Sequence, residues 1–296
     1  MIGTIRDKFE NILHLFPAYQ KFCDGKSTSQ EFSLFLDQMR DHLVAHGIPS
    51  DDVHYAKRFP PSVETAALDA FTSLALPDLT LPKDFQAMSS QVATRISNGF
   101  NHQDYHTYIY PEEGRLLLAL ALAFRPQRVV FLGSYYGYWA AWLLPALEVN
   151  GGEAILIDPD THAMEVARSN LSRMYPLINV ETISCPGESY LAGPDSGEFD
   201  MVVLDAELPR SHPDPSRRGK GIYFHLMNSL LPRLSRRSLL VCHNILLTDH
   251  INCAFFDTVI ARNRNELGPF LELVSNEFGG LIELSTTEGM GVALRN

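Results

Sequence analysis

The stretch from Arg128 to Tyr138, RVVFLGSYYGY, constrains the fold more than any other part of the chain. Four apolar residues are closed by Gly133, Gly137 follows, and residues 139–144 continue as an apolar helical pattern. Such a run is typical of a buried parallel strand that turns into a helix. Glycine allows a positive φ, and the helix N-terminus offers free N–H groups to a polar ligand. This stretch alone is equally consistent with a ligand site and with a strand-to-helix turn that binds nothing.

Downstream of this stretch, strand and helix patterns alternate. Strands are predicted at 128–133, 153–158, 179–184, 199–205 and 238–243, helices at 138–147, 160–174, 222–234, 250–265 and 268–277, and a β-hairpin at 281–286 and 290–295. Alternation of this kind predicts a Rossmann-like, doubly wound α/β fold whose mostly parallel, seven-stranded sheet ends in an antiparallel C-terminal hairpin. Ligands of such sheets bind at the carboxyl ends of the strands.

The first hundred residues lack strand alternation and predict three to five helices. The segments with helical spacing are 5–16, stopped by Pro17, then 29–43, 63–76 with Ser62 as a cap, and 84–96. We therefore predict an all-helical N-terminal region over residues 1–105 and a Rossmann-like domain over residues 106–296. The helical region either packs as plain scaffold, covers a binding site, or forms the surface of a homodimer.

Composition narrows the choice of partners. A formal net charge of −11 argues against non-specific binding to nucleic acid or to an anionic membrane, because both require a positive surface. The four cysteines are scattered, which is typical of a reduced intracellular chain. No apolar run approaches the roughly 20 residues of a membrane span. We expect a cytoplasmic protein that acts on a small molecule.

Five segments then carry a family resemblance. They are Pro111-Glu-Glu-Gly114, Phe131 to Tyr138, Asp158-Pro-Asp160, Phe199 to Ala206 and Leu239 to Asn244. In this order and spacing they resemble the class I S-adenosylmethionine-dependent methyltransferases, and most of all the catechol and caffeoyl-CoA O-methyltransferases. The resemblance implies methylation of a small molecule, at oxygen.

The resemblance also implies where the cofactor S-adenosylmethionine lies. Its methionine end would lie over the loop that contains Gly133, Ser134, Tyr135 and Gly137. The ribose would lie near the end of the second strand, where Asp158 stands, and the adenine near Glu188. Asp205, at the end of the fourth strand, would complete the set of cofactor-binding residues.

Two acids that the family uses for this cofactor are replaced here. Phe131 stands where an acid usually precedes the Leu-Gly of the glycine motif, and Leu156 stands where an acid usually binds the ribose hydroxyls. Asp158 shares a strand face with Leu156, but it lies two residues further on, about 6–7 Å along a strand. Asp158 is equally suited to be the N-cap of the next helix, because a proline follows it.

The metal ligands depart from the family pattern as well. Cation-dependent members hold magnesium with Asp, Asp and Asn; here Asp205, His243 and Asn244 occupy the three positions. An imidazole suits a softer metal than magnesium. The lysine that follows the first ligand in that family is Leu208 here. We therefore expect that a divalent metal, if bound, has these three ligands but is not required.

His243 has a second interpretation as general base, with Asp205 orienting it, because an imidazole suits proton transfer near neutral pH. A strand-end histidine bonded only to backbone is the structural alternative. An alternative function follows from the same departures: a methyltransferase-like protein that has left methyl transfer for metal-dependent or acid–base chemistry of the isomerase or cyclase type. A non-enzymatic scaffold would leave these residues without a role.

Substrate contacts are predicted from two further segments. Residues 206–221 form a polar loop that overhangs the site, and Arg217 and Arg218 make it locally basic, so it is interpreted as a lid over an anionic group or as a solvated mobile loop. His106 and Tyr108, in an aromatic stretch, are predicted to line the substrate cavity. Metal binding by His102 and His106 is the less favoured interpretation of that stretch.

Overall fold

The computed structural model describes residue 9 and residues 12–103, 109–194 and 197–295. One seven-stranded sheet runs through the molecule in the order β3-β2-β1-β4-β5-β7-β6. Its strands are β1 (Arg128–Leu132), β2 (Glu153–Asp158), β3 (Asn179–Ser184), β4 (Phe199–Leu204), β5 (Leu234–Cys242), β6 (Ile282–Leu284) and β7 (Met290–Arg295). The first five strands are parallel, and β7 pairs antiparallel with both β5 and β6. The predicted doubly wound sheet with a C-terminal hairpin is confirmed.

Eleven α-helices surround or precede this sheet in the described residues. They are α1 (Pro17–Cys23), α2 (Ser29–Ala45), α3 (Ser50–Ala56), α4 (Val63–Ser73), α5 (Phe85–Gly99), α6 (Pro111–Phe124), α7 (Tyr138–Asn150), α8 (Thr161–Met174), α9 (Gly187–Leu191), α10 (Ile222–Leu230) and α11 (Asp257–Phe278). None of them is long and apolar enough to cross a membrane.

Three helix predictions need correction. The helical run before Pro17 ends earlier than predicted, at Leu13, and Pro17 begins a new helix, α1, because proline at the first helical position loses no intrahelical hydrogen bond. The helix α3 was missed, since its seven residues are too short to show a period. The two helices predicted at 250–265 and 268–277 are one helix, α11, which continues through Pro269.

Apolar side chains pack on both faces of the sheet. On one face, residues of α6, α7 and α8 form a core that continues into α4 and α5. On the other face, α10 and α11 cover β4 and β5. The N-terminal helices are further tied to the sheet by Arg58, whose buried side chain donates to the carbonyl oxygens of Thr286 and Thr248. The domain boundary predicted at 105/106 lies outside the described residues, and homodimerisation through the helical region stays a prediction.

Strand order reverses between β1 and β4, because β2 lies on one side of β1 and β4 on the other. The carboxyl ends of β1, β2, β4 and β5 therefore share one edge of the sheet. Backbone hydrogen bonds hold their last residues in line there: the Asp205 N–H donates to Leu132, and the His243 N–H donates to Leu204. This edge brings together the predicted site residues that lie on strands.

Candidate active site

A buried cluster of charged side chains lies at the ends of β4 and β5. His243, which is 1% exposed, has Nε2 3.0 Å from Glu113 Oε2 and Nδ1 3.3 Å from Asp205 Oδ1. The same Asp205 oxygen lies 3.2 Å from Lys220 Nζ. Asp205 is the most exposed of the four, with 22% of its side chain accessible. These four side chains thus form one connected network, which the buried carboxylate of Glu288 joins with its Oε2 3.8 Å from His243 Nε2. Asp205 is the member that reaches the surface.

Glu113 comes from the first turn of α6, which points its N-terminus at the C-terminal hairpin. Its second oxygen, Oε1, accepts hydrogen bonds from the Thr286 hydroxyl at 2.7 Å and from the Glu288 N–H at 3.0 Å. An acid in the first helical turn is also favoured by the helix dipole. Both carboxylate oxygens of Glu113 are therefore satisfied, and the hairpin and β5 are joined through this one side chain.

The charged side chains of this network shift one another's pKa values. Burial lowers the pKa of His243, but the charges of Asp205 and Glu113 outweigh it and raise that pKa to about 10. Burial raises the pKa of Glu113 and Asp205, yet the positive charge of His243 leaves both below their usual values. His243 is therefore an imidazolium at neutral pH. A general base has to be neutral before it takes a proton, so the two carboxylates disfavour the general-base role of His243, which stays a prediction.

The neighbouring Glu112 behaves differently from Glu113. Its carboxyl is 5% exposed and accepts a hydrogen bond from the Thr287 hydroxyl at 2.6 Å. Burial, with the charge of Glu113 beside it, raises the pKa of Glu112 to about 8. Two adjacent glutamates thus carry different charges at neutral pH, one ionised and one protonated.

Lys220 was not predicted as a site residue. It lies 3% exposed just before α10, and its ammonium group contacts both Asp205 and the Tyr223 hydroxyl. That hydroxyl lies 3.0 Å and 2.9 Å from the carbonyl oxygens of Leu204 and His243, so it ties β4 to β5. Leu208 stands where the family has a lysine. The loop of residues 206–221 instead brings Lys220, twelve residues further along the chain, to Asp205. The sequence feature that could have indicated this role is the position of Lys220 between two glycines, in a loop that returns to the end of β4.

The loop after β1 forms the other part of the edge. Gly133 has φ 81°, and a Cβ atom there would lie 2.5 Å from the Ala206 Cα, so only glycine fits. Gly137, with φ 80°, is the N-cap of α7. The Tyr135 N–H donates to Asp158 Oδ2 at 3.0 Å. The glycine loop is thereby fixed between Ala206, where the loop of residues 206–221 begins, and Asp158 at the end of β2.

Asp158 fastens this loop and does not cap the following helix. Its Oδ1 accepts from the Asp160 N–H at 3.0 Å, whereas Asp160 itself is the N-cap of α8 and accepts from Ala163. The N-cap interpretation of Asp158 is therefore wrong. Burial is the main cause that raises the pKa of Asp158. A carboxylate offers about four lone-pair positions, and these two bonds leave room for further donors such as ribose hydroxyls.

The two residues that replace the family's acids, Phe131 and Leu156, pack in the same part of the core. Phe131 and Leu156 are direct partners in the β1–β2 register, and both side chains are buried, 2% and 0% exposed, in the same core cluster. An acid at either position would face the apolar partner, so the two replacements fit each other. Ser134, between the glycines, lies with its Oγ 3.8 Å from Met164 Sδ.

The predicted lid is ordered by its own contacts. The backbones of Leu208 and Gly219 exchange two hydrogen bonds that close residues 206–221 into a hairpin-like loop. Arg217 forms an ion pair with Glu188, the residue predicted beside the adenine. The Arg218 side chain donates to the carbonyl oxygen of His212. Arg217 and Glu188 thus connect the lid to the first turn of α9.

The remaining predicted residues are placed as follows. Asn244 has φ 53° and donates its side-chain amide to Glu288 Oε2 at 2.5 Å. The metal ligand set of Asp205, His243 and Asn244 stays a prediction, and a metal there would have to displace the proton of His243. In the part of the chain that the structure describes, no group of three or more His, Cys, Asp and Glu side chains is arranged to hold a metal ion. His106 and Tyr108 lie outside the described residues.

Comparisons with known proteins agree with the sequence motifs. Residues 130–245 match a family model described as methyltransferase domain. The chain is 33% identical over 96 residues to a catechol O-methyltransferase of Mycobacterium tuberculosis, which covers 32% of this chain and 43% of that protein. It is 28% identical over 104 residues to a catechol O-methyltransferase of Niastella koreensis, covering 34% and 47%. The chain thus matches less than half the length of these curated relatives.

Among solved structures, an O-methyltransferase from Bacillus cereus in complex with S-adenosylhomocysteine superposes with a TM-score of 0.49 at 18% identity, covering 79% of this chain and 100% of that one. The family model and the curated relatives confirm the resemblance to the class I S-adenosylmethionine-dependent O-methyltransferases. The matched segment contains the glycine loop, Asp158, Asp205 and His243.

Proposed function

We propose that this protein transfers a methyl group from S-adenosylmethionine to a hydroxyl oxygen of a small aromatic molecule, without a required metal ion. One observation carries the proposal: the buried network of Glu113, His243, Asp205 and Lys220 ends in a partly exposed Asp205 beside the glycine loop. The cofactor supplies an electrophilic methyl group when bound. The methyltransferase family model and the catechol O-methyltransferase relatives support the reaction class and the choice of an aromatic hydroxyl as acceptor.

The residues on the cofactor side are proposed from the family resemblance, and the contacts described above support them. The loop from Gly133 to Gly137, including Ser134 and Tyr135, would hold the methionine end. Asp158 would accept from the ribose hydroxyls with its remaining lone pairs, and Glu188 would lie near the adenine. Because Phe131 and Leu156 make an apolar pair where relatives use acids, Asp158 becomes the main polar group available to the ribose.

The acceptor hydroxyl has to lose its proton and carry negative charge as its oxygen attacks. Asp205 is the network member with accessible surface, so we assign it the hydrogen bond from the acceptor hydroxyl. Because its pKa is lowered, Asp205 takes the proton only as the oxygen bonds to the methyl carbon, which makes the hydroxyl strongly acidic. Lys220 and His243 stand behind Asp205 with two positive charges, where they stabilise negative charge on the acceptor oxygen. In this mechanism His243 is a positioning residue and a fixed charge, and it replaces the general base predicted from its position on the strand.

A divalent metal has the same task in cation-dependent relatives, namely to stabilise the acceptor oxygen as an anion. The two protonated side chains supply comparable positive charge here, and Asn244 is engaged with Glu288. We therefore propose that chelation leaves the activity unchanged. The alternative of isomerase or cyclase chemistry has no support in the comparisons, which all concern methyltransferases.

The first experiment is calorimetric titration of metal-stripped protein with S-adenosylhomocysteine, with metal content assayed before stripping. Binding with a micromolar Kd would support the proposal, and transfer of labelled methyl groups to a panel of catechols and simple phenols would then define the acceptor. Asp205→Asn, which keeps the shape but cannot take a proton, should retain cofactor binding and lose transfer. An absence of cofactor binding by the folded wild-type protein would overturn the proposal.

A further inference from the structure

A second group of reactive side chains lies away from the proposed active site, where α3 packs against the segment that leads into α11. Cys253 Sγ is 3.7 Å from His54 Nδ1 and 4.0 Å from Lys57 Nζ. The cysteine is half-buried and precedes a 3-10 turn at Ala254–Phe256. A thiol, an imidazole and an ammonium group therefore meet at one point between the helical region and the sheet domain.

His54 is placed to accept a proton from this thiol. Burial lowers the pKa of His54, and the positive charges of Lys57 and Arg40 lower it further, against the opposing effect of Asp37 and Asp51. The ring is therefore neutral at neutral pH and has one nitrogen lone pair. Its plane is fixed by stacking on Phe255, with ring centroids 4.4 Å apart and an angle of 10° between the planes.

Burial and an ion pair restrict the side chain of Lys57. Its residue is 4% exposed, and its ammonium group donates to Asp37 Oδ1 at 2.5 Å. The cysteine is held from the other side, because its N–H donates to Asp249 Oδ2 at 2.6 Å. A fixed positive charge near a fixed sulfur stabilises negative charge on that sulfur as it attacks.

We propose that Cys253 is a modification site at which hydroperoxides oxidise the thiol to a sulfenic acid, with His54 as the base and Lys57 as the charge partner. In the step, His54 Nδ1 takes the thiol proton while the sulfur attacks one peroxide oxygen. The S–O bond forms as the O–O bond breaks, and the departing hydroxide takes the proton from His54 and leaves as water. Cysteine and hydrogen peroxide thus give sulfenic acid and one water.

The other cysteines provide the contrast that the proposal needs. Cys242 is fully buried in β5, and burial raises the pKa of its thiol, so it should be inert. Cys185 is half-buried like Cys253, which makes it a matched internal control for access. Because the site shares no residue with the proposed methyl-transfer site, its test does not depend on methyltransferase activity.

The experiment exposes the full-length protein at pH 7 to hydrogen peroxide at micromolar concentrations in the presence of dimedone, which traps sulfenic acids. Adduct formation at each cysteine is followed by mass spectrometry of peptides. We expect Cys253 to form its adduct at least about tenfold faster than Cys185, which is the scale of reactivity differences set by neighbouring bases and charges. Equal rates at the two cysteines would overturn the proposal.

Two variants separate the partners from simple exposure. His54→Phe keeps an aromatic ring against Phe255 but removes the proton acceptor, and Lys57→Met keeps most of the stem but removes the charge. Each should bring the rate at Cys253 to within about threefold of Cys185 if the neighbours set the reactivity. Iodoacetamide labelling of the wild type at both cysteines gives a second readout that needs no variant. A fast Cys253 in folded His54→Phe would overturn the role of the histidine.

Discussion

The two parts of the sheet edge are built on different principles. At the ends of β4 and β5, Asp205, His243 and Glu113 form a network of charged side chains that neutralise one another, and only Asp205 of the three is partly exposed. At the ends of β1 and β2, Asp158 accepts from the Tyr135 N–H of the glycine loop and from the Asp160 N–H of the turn after β2. The first part fixes charge in a protein interior, and the second fixes backbone shape at a partly open surface. Their members should therefore respond differently to substitution.

The largest effect is expected at Glu113. Glu113→Gln removes the charge that faces His243 but keeps the shape, so we expect the free energy of unfolding to fall by about 3–5 kcal/mol, as when one partner of a buried ion pair is removed. Glu112→Gln is the matched control one residue away: the wild-type carboxyl has to take up a proton on folding at pH 7 and the amide does not, so this variant should lose no stability and should gain about 3 kcal/mol. Urea unfolding of both variants at pH 7 makes the comparison, and equal losses would contradict the charge assignment.

The pH dependence of stability sharpens the same contrast. Burial raises the pKa of Glu112 to about 8 in the folded protein. A group with a raised folded pKa stabilises the fold fully below its unfolded value, near 4.5, and that stability is lost as the pH rises through 8. Relative to Glu112→Gln, the wild type should therefore lose up to about 1.4 kcal/mol per pH unit between pH 5 and 8, with no further relative change above 8.

The pKa of about 10 for His243 belongs to a separate window. Its contribution is complete below 6.5 and is lost as the pH rises through 10, in the wild type and in Glu112→Gln alike. When the free energy of unfolding of both proteins is measured from pH 5 to 10, the difference between them should therefore change only between pH 5 and 8. Parallel pH dependences over the whole range from pH 5 to 10 would mean that Glu112 is ionised throughout.

Lys220 should matter more for activity than for folding. Lys220→Met is expected to lower kcat/KM for an acceptor about a hundredfold, which is typical for the loss of one preorganised charge at the reacting oxygen. The Kd for S-adenosylhomocysteine should change little, because the lysine contacts Asp205 and not the glycine loop. The control is Lys26→Met, a lysine paired with Asp24 on the surface. Equal activity of the two variants would remove Lys220 from the mechanism.

How far the sequence predicted this edge depends on the kind of contact. The glycine loop, Asp158 and the strand ends were found because consecutive residues and a regular alternation of elements specify them. Lys220 and Glu113 were not predicted as site residues. Glu113 lies 130 residues from the histidine it contacts, and Lys220 reaches Asp205 only because the lid folds back through its Leu208–Gly219 bridge. The charge state of His243 was likewise hidden, since it depends on two carboxylates from distant segments.

On the cofactor side, Asp158 should have a moderate effect on affinity. Asp158→Ala removes the acceptor for the Tyr135 N–H and the one that we propose for the ribose, so we expect the Kd for S-adenosylhomocysteine to rise about tenfold, the scale of one or two hydrogen bonds. Asp160→Ala is the matched control: it removes the N-cap of α8 and should cost about 1 kcal/mol of stability without a similar loss of affinity. Calorimetry and thermal unfolding of both variants distinguish the roles. Parallel losses of affinity would show that Asp158 acts only through loop structure.

The smallest effect is expected where the two sides meet, at the ion pair of Arg217 and Glu188. Both side chains are partly exposed, 31% and 24%, so their coupling in the free protein should stay below about 1 kcal/mol in a double-mutant cycle of alanine variants. If the pair closes the lid over the adenine, the coupling should increase when the cycle is repeated with S-adenosylhomocysteine bound, because the bound molecule excludes water from the pair. An unchanged coupling would make the pair a surface contact of the lid and leave the two sides of the edge independent.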